Sequence, residues 1–345
     1  MCIRGQQNGI NLDYNVLKNL QWLEEIKNYD VIVTGGEPTL YPEFEKIVNL
    51  LCSYGGNVIV TTNGTTDYYV KNDFIKDNLF FQLSIDGDRN KHNEIRGKGT
   101  FEKTFKTAKK LNDICAKFSI ASTVSRKNFE NMPLLAKELE KLENLRYWRL
   151  SYEMPFGSAN FKDMLSSNEW NNFVDKILDI AKLRVRIKKI FPFELYDKKK
   201  EDIDKLILNN RHCFNCGSGK DKVYIYPDFN VYPCTCLTDF CIGNLKEKTL
   251  DQILSCEAIT LFTEYKTCNN SICNNCEYIK YCNGGCIGMS YHYFKKLGMG
   301  DVRCPKLGVL RWKKFFIVIL PMDVIVIAFF VIHTILNITK KLITK

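Results

Sequence analysis

Histidine is scarce, with four residues in 345. With so few imidazoles, any metal site in this chain rests chiefly on thiolates. That favours iron–sulfur or zinc over metals that prefer nitrogen. No apolar segment follows the opening Met1-Cys2-Ile3-Arg4-Gly5, so no secretory signal is expected. Without export, a disulfide framework is not expected either. Internal repeats and low-complexity stretches are absent. A composition of 45% hydrophobic and 26% charged residues excludes a disordered or collagen-like chain, and the length allows two or three domains. Acids are missing from one region in particular. Residues 306–345 hold seven Lys or Arg against Asp323 alone, in a chain of net charge +10. This basic excess flanks a hydrophobic tail, which points to a membrane surface and away from nucleic acid.

Cysteine is abundant. Of 15 cysteines, 12 fall between Cys213 and Cys304. Cys273-x2-Cys276-x5-Cys282-x3-Cys286 is followed further along by Cys304, and Cys213, Cys216 and Cys234 lie upstream. A CxxC turn offers two thiolates to one metal centre. Partners from distant points then staple a segment too small to hold its own core. Eight cysteines make two four-thiolate sites, which suits two [4Fe–4S] clusters or two zinc ions. Cys52 and Cys115 sit in helical patterns and are expected in the core. Cys236, Cys241, Cys256 and Cys268 are expected to be structural.

The segment 1–154 alternates between two patterns. Apolar, β-branched runs predict strands at 30–33, 57–61, 79–85, 117–124 and 145–152. Helical spacing appears at 12–27, 42–54, 101–113 and 131–142, and more weakly at 69–77. Such alternation predicts βα units and a parallel sheet. The segment 155–212 is less regular, with a helix near 168–185 and a basic, strand-like run at 184–193, and is expected to bridge. Polar residues close successive strands: Thr34-Gly35-Gly36-Glu37-Pro38, then Thr61-Thr62-Asn63-Gly64, then Ser84-Ile85-Asp86-Gly87, with Arg96-Gly97 downstream. Carboxyl ends of parallel strands share one face, where barrels bind ligands. Two glycines let backbone approach a ligand closely, and Glu37 can take an ammonium group.

These motifs resemble the radical S-adenosylmethionine (SAM) enzymes that carry a C-terminal SPASM domain, the twin-cluster module of peptide-modifying maturases. The resemblance covers residues 1–304. It implies an α/β chain: a partial TIM-type (β/α)6 barrel at 1–154 lacking its first strand, a bridging segment at 155–212, and a SPASM domain at 213–304. The family hallmark is CxxxCxxC. Met1-Cys2-Ile3-Arg4-Gly5 resembles the end of that loop, with Cys2 as the third cysteine and the first two absent. A missing N-terminus or a degenerate protein would account for this. By resemblance, Gly35, Gly36 and Glu37 hold the SAM amino group, and Ser84 and Arg96 bind its ribose side and carboxylate. Asn63 and Asp86 belong to the same pocket. Cys2 ligates the SAM-binding [4Fe–4S] cluster. Cys273, Cys276, Cys282 and Cys304 hold one auxiliary [4Fe–4S] cluster, and Cys216, Cys234 and Cys286, with Cys213, hold the other. Phe229 stands where the family's Pro-Asp-Gly turn has Gly, which strains that turn. Thr235 stands where sulfatase-maturating relatives carry an Asp, which argues against sulfatase maturation.

The expected function is reductive SAM cleavage to a 5′-deoxyadenosyl radical that abstracts hydrogen from a peptide or protein substrate. An external flavodoxin- or ferredoxin-type protein is expected to donate the electron. The alternative is a non-catalytic iron–sulfur or zinc protein, serving as a scaffold or membrane-tethered electron carrier. In the tail at 305–345, the run from Phe315 to Ile338 consists mostly of Ile, Leu, Val and Phe, and it is long enough to span a bilayer. Asp323, His333, Thr334 and Asn337 share one arc, so a helix lying in the interface and a helix packed on the body are also open. The expected location is the cytoplasmic face of a membrane, attached through this helix.

Overall fold

The five apolar runs form parallel strands: β1 (Asp30–Val33), β2 (Asn57–Thr62), β3 (Leu79–Ser84), β4 (Phe118–Val124) and β5 (Leu145–Tyr152). A sixth, β6 (Val185–Ile187), extends the sheet in the order β1-β2-β3-β4-β5-β6. It pairs in parallel with β5, Trp148 opposite Val185. The sheet thus takes its last strand from the segment expected to bridge. The computed structural model describes residues 11–307 apart from 157–158, 189, 196–198, 200, 205–216 and 220–221. Cys2, Cys213, Cys216 and the hydrophobic run of the tail lie outside the described residues. Among those described, no helix is long and apolar enough to cross a membrane.

The strands bury chiefly one face, although β4 is buried on both over Phe118, Ser119 and Ile120. Val58, Val60, Leu79, Phe81, Leu83, Phe118, Ile120, Trp148 and Leu150 are buried, while most alternate residues are half-exposed. Ile32 in β1 is 57% exposed. Helices cover the buried face because their apolar residues recur at helical spacing. Helix α2 (Phe44–Ser53) buries Phe44, Ile47, Val48, Leu51 and Cys52. Its Phe44 packs edge-on against Tyr69, which stacks on Phe81 of β3 at 5.4 Å. Helices α4 (Thr100–Asp113) and α5 (Met132–Leu139) bury equivalent stripes. Helix α6 (Ser167–Ile180) begins with a reciprocal Ser166–Glu169 capping box.

Four local expectations change. The 12–27 segment divides into a short helix, α1 (Tyr14–Leu17), and a 3-10 helix at Gln21–Asn28. Residues 69–77 form turns that bury Tyr69 and Phe74. A helix, α3 (Arg89–Arg96), follows β3; it has little apolar periodicity but is capped by Asp88, which accepts the Lys91 N–H. Cys115 is exposed, not core, at φ +54° just past α4.

Beyond residue 217 the elements shorten. β7 (Tyr224–Ile225), β8 (Asn230–Tyr232) and β9 (Gly243–Asn244) form a small antiparallel sheet. Between β7 and β8, Phe229 sits at φ +71°, the left-handed conformation that glycine would take more cheaply. Short helices follow, the longest among the described residues being Ile287–Phe294. This module packs on the barrel through Phe156 against His292 and Phe161 against Tyr293.

Candidate functional site

Strand direction places the ends of β1, β2 and β3 at one rim. Glu37 organises the first two. Its Oε1 accepts from the Thr39 N–H at 3.2 Å, the Thr39 hydroxyl at 2.7 Å and the Thr62 hydroxyl at 2.5 Å. Its Oε2 accepts from the Asn63 N–H at 2.6 Å. A carboxylate offers about four lone-pair sites, so Oε2 retains room for one more donor, such as an ammonium group. Gly35 and Gly36 precede it on an exposed turn, where an added Cβ would meet nothing within 4 Å. Neither has positive φ. Among the described residues, neither packing nor backbone conformation calls for glycine here, and the turn is open enough for a ligand to approach its backbone closely.

Asn63 and Asp86 differ from Glu37. The Asn63 carboxamide oxygen accepts from the Thr65 N–H and hydroxyl, both at 2.8 Å, closing its own turn. Asp86 is fully buried. Its Oδ2 accepts from Arg96 Nε, and its Oδ1 from the Thr123 N–H at 2.7 Å. Its backbone N–H donates to His92 Nδ1 at 3.1 Å, and its carbonyl accepts from Asn128 Nδ2 at 2.8 Å. Asp86 thus turns inward and holds Arg96 of α3 through its carboxylate. Burial pulls the His92 imidazole down to about 4, so it stays neutral at pH 7. Ser84, half-buried, closes β3 between these groups.

Glu153 is a rim residue that sequence reasoning missed. It follows β5, is 3% exposed, and its Oε2 has no hydrogen-bond partner among the described residues. Burial raises its pKa. Its only sequence signal is an acid between Tyr152 and Met154.

The cysteines fall into two groups. Cys273, Cys276, Cys282 and Cys304 line one cavity together with Gly284 and Asp301. Burial first pushes the Cys273 thiol up to about 11 and raises Cys282 and Cys304 as well. Among the described residues, no three His, Cys, Asp or Glu side chains converge on a single-ion position. Four thiols around one cavity can offer a thiolate to each corner of a cluster. The second group is Cys234, Cys236 and Cys286. The Cys234 thiol lies below its ordinary value because Cys236 donates to it through both its thiol and, at 3.4 Å, its backbone N–H. Cys286 caps the helix Ile287–Phe294, its sulfur accepting from the Met289 N–H at 3.4 Å. A Cβ on Gly288 would stand 3.0 Å from Cys236 Cβ and 3.6 Å from Cys234 Sγ. Glycine there lets the helix start close on the two thiols. The sequence grouped Cys234 with Cys286; the structure adds Cys236. Cys52 is buried as expected, whereas Cys241 and Cys268 are exposed.

Residues 2–151 match the Radical SAM superfamily, and residues 216–277 match SPASM, an iron–sulfur cluster-binding domain. The chain thus carries a radical SAM domain followed by a SPASM domain. Its cofactors are [4Fe–4S] clusters and SAM. The antilisterial bacteriocin subtilosin biosynthesis protein AlbA of Bacillus subtilis is 23% identical over 82% of this chain; the match spans 60% of that relative's length. An AdoMet-dependent heme synthase of Methanosarcina barkeri is 25% identical over 76% of the chain and 78% of the relative. The crystal structure of Streptococcus suis SuiB bound to S-adenosylmethionine superposes with TM-score 0.70 at 17% identity, covering 88% of this chain and 73% of SuiB.

Proposed function

We propose that the chain is a radical SAM oxidoreductase acting on a peptide or protein side chain. The observation that carries the reading is the set of groups at consecutive strand ends: the open Gly35-Gly36 turn, the free acceptor site on Glu37, Ser84, and Arg96 held by Asp86. Bound there, SAM and its cluster would supply a 5′-deoxyadenosyl radical able to take hydrogen from the substrate. In this reading Glu37 accepts the SAM ammonium, and the glycine turn admits it without a steric barrier. Arg96 binds the carboxylate, and Asp86 fixes the Arg96 rotamer. Asn63 contributes through its backbone, its side chain being engaged in the turn. Cys2 ligates the SAM cluster. Cys273, Cys276, Cys282 and Cys304 hold one auxiliary cluster; Cys234 and Cys286, with Cys213 and Cys216, hold the second. An external flavodoxin- or ferredoxin-type donor supplies the electron.

AlbA is a bacteriocin biosynthesis protein, and SuiB has a structure bound to its precursor peptide SuiA; both support a peptide substrate. The match to heme synthases supports a second reading, a tetrapyrrole substrate. The test is anaerobic reconstitution of the longest form the gene encodes, followed by dithionite and SAM. Release of 5′-deoxyadenosine is expected, and its release should rise with a leader-bearing peptide. Cluster-loaded protein that yields none would overturn the catalytic reading, and stimulation only by a porphyrin would replace the peptide.

A further inference from the structure

The two cysteine groups are joined by a buried ion pair, Asp301–Arg303. Asp301 is 1% exposed and Arg303 6%. Asp301 Oδ1 accepts from Arg303 Nε at 2.9 Å and Oδ2 from Arg303 Nη2 at 2.7 Å, a forked contact. Oδ1 also takes the Arg303 backbone N–H at 3.0 Å. The same carboxylate then reaches both groups. Oδ2 accepts the backbone N–H of Cys286 at 3.0 Å. On its other side Asp301 lines the cavity of Cys273, Cys276, Cys282 and Cys304, and its backbone carbonyl accepts the Cys304 N–H at 2.9 Å. The chain is pressed against that cavity, since a Cβ on Gly300 would stand 2.7 Å from Cys273 Sγ. The Arg303 guanidinium lies 5.6 Å from the ring of Tyr152, at the end of β5.

Stability alone is a poor reason for such a pair. Apolar residues of similar volume often replace a buried ion pair at no cost, because desolvation offsets the attraction. Its placement suggests another role. Iron–sulfur reduction potentials respond to net charge, hydrogen bonding and exposure, and buried charges are little screened by salt.

We propose that the Asp301–Arg303 pair is a shared outer element of the two auxiliary iron–sulfur centres and sets both reduction potentials from one position between them. The proposal rests on the reading that Cys273, Cys276, Cys282 and Cys304 hold one centre and that Cys234 and Cys286 belong to the other. Asp301 and Arg303 act as positioning and charge-setting residues; neither ligates iron. Asp301 carries the negative end of the pair to the wall of the first cavity. Arg303 is a fixed cation within electrostatic reach of Cys286, and it also holds the Asp301 carboxylate in its forked orientation.

The test is a potentiometric titration, followed by electron paramagnetic resonance, of the full chain reconstituted with iron and sulfide in a Cys2→Ala background. Cys273→Ala and Cys286→Ala assign one signal to each centre. Asp301→Asn removes the negative charge and leaves Arg303 uncompensated, so both midpoints rise. The expected shift is at least a tenfold change in the reduced-to-oxidised ratio at fixed potential, which is about 59 mV for a one-electron couple. The charge-free double variant, Asp301→Asn with Arg303→Gln, avoids an unpaired buried charge if the single variant does not fold. There the net charge of the pair is unchanged, and the midpoint of the Cys273 centre, whose cavity Asp301 lines, still rises. Two intact centres with wild-type midpoints in these variants would overturn the proposal while leaving the ligand reading standing. A response of one centre alone to Asp301→Asn would overturn it equally. Wild-type signals that survive Cys273→Ala and Cys286→Ala would overturn the ligand reading and the proposal with it.

Discussion

Gly35 and Gly36 give the sharpest case at the scale of single residues. Most glycines that matter to a fold do so through positive φ or a close protein neighbour. Gly288, whose added Cβ would stand 3.0 Å from Cys236 Cβ, is of the second kind. Among the described residues, Gly35 and Gly36 show neither property. Gly36→Ala should therefore leave folding stability within about 0.5 kcal/mol of wild type, as substitutions away from special contacts do. It should weaken SAM binding tenfold or more, about 1.4 kcal/mol, because the methyl group occupies ligand space. Equilibrium dialysis with SAM, paired with thermal unfolding, separates the two effects. Unchanged affinity would remove the turn from the binding site. The residues at this rim were partly legible in the sequence. Glu37 and the glycines announce themselves as a strand-end motif. The engagement of Asp86 does not, because its partners Thr123 and Asn128 come from β4 and the loop after it, and only the folded sheet brings them within reach. Cys236 was hidden for the same reason: its neighbour Cys286 is distant in sequence.

Among the elements, the strands of the sheet were readable because five of them are apolar runs bounded by turn residues, and β5 begins and ends where its pattern does. Helix α3 was not readable, since Arg89–Arg96 buries only His92 and its stability comes from the Asp88 cap and from packing on α4. The turn between β7 and β8 was anticipated in its strain. Phe229 takes the left-handed conformation at φ +71°, accepting the Leu245 N–H on its carbonyl at 3.0 Å, with its ring 1% exposed. Two effects oppose each other at this position. The left-handed backbone costs a non-glycine residue about 1–2 kcal/mol, whereas deleting a buried phenylalanine ring costs about 3–5 kcal/mol. The ring wins. Phe229→Gly should destabilise the protein by about 2 kcal/mol, the difference of the two effects, despite restoring the family's turn residue. A melting temperature lower by several degrees would show it. A more stable variant would mean that the hairpin is governed by its backbone, not by the core beneath it.

The whole molecule joins two kinds of stability. The barrel half has long helices over a six-stranded sheet, with Val58, Val60, Leu83, Ala108, Leu111, Ile120 and Leu135 all fully buried. Hydrophobic burial is sufficient to hold such a core. The cysteine half has strands of two or three residues and helices of four to eight. Its buried side chains Phe229, Val231 and Ile253 extend the same apolar cluster as the barrel, while Tyr281 joins Leu195 and Ile203 in a small second one. Segments this short do not propagate on their own, and in a module of this kind metal–thiolate bonds supply folding free energy. Removing iron should therefore not affect the chain evenly. In hydrogen exchange after anaerobic chelation, amides around Cys273–Cys286 and Cys304 should lose protection by tenfold or more, while those of β2 to β5 keep theirs. The strands near Phe229 should fall between, since their core is shared with the barrel. The barrel is the reference in the same sample, so a general loss of fold would be recognised as such. Equal protection with and without iron across the cysteine module would mean that apolar packing against the barrel already holds the module, leaving the metals no structural part in it. Protection lost only in the module would show that the cluster-binding half is folded by its cofactors onto a sheet that stands without them.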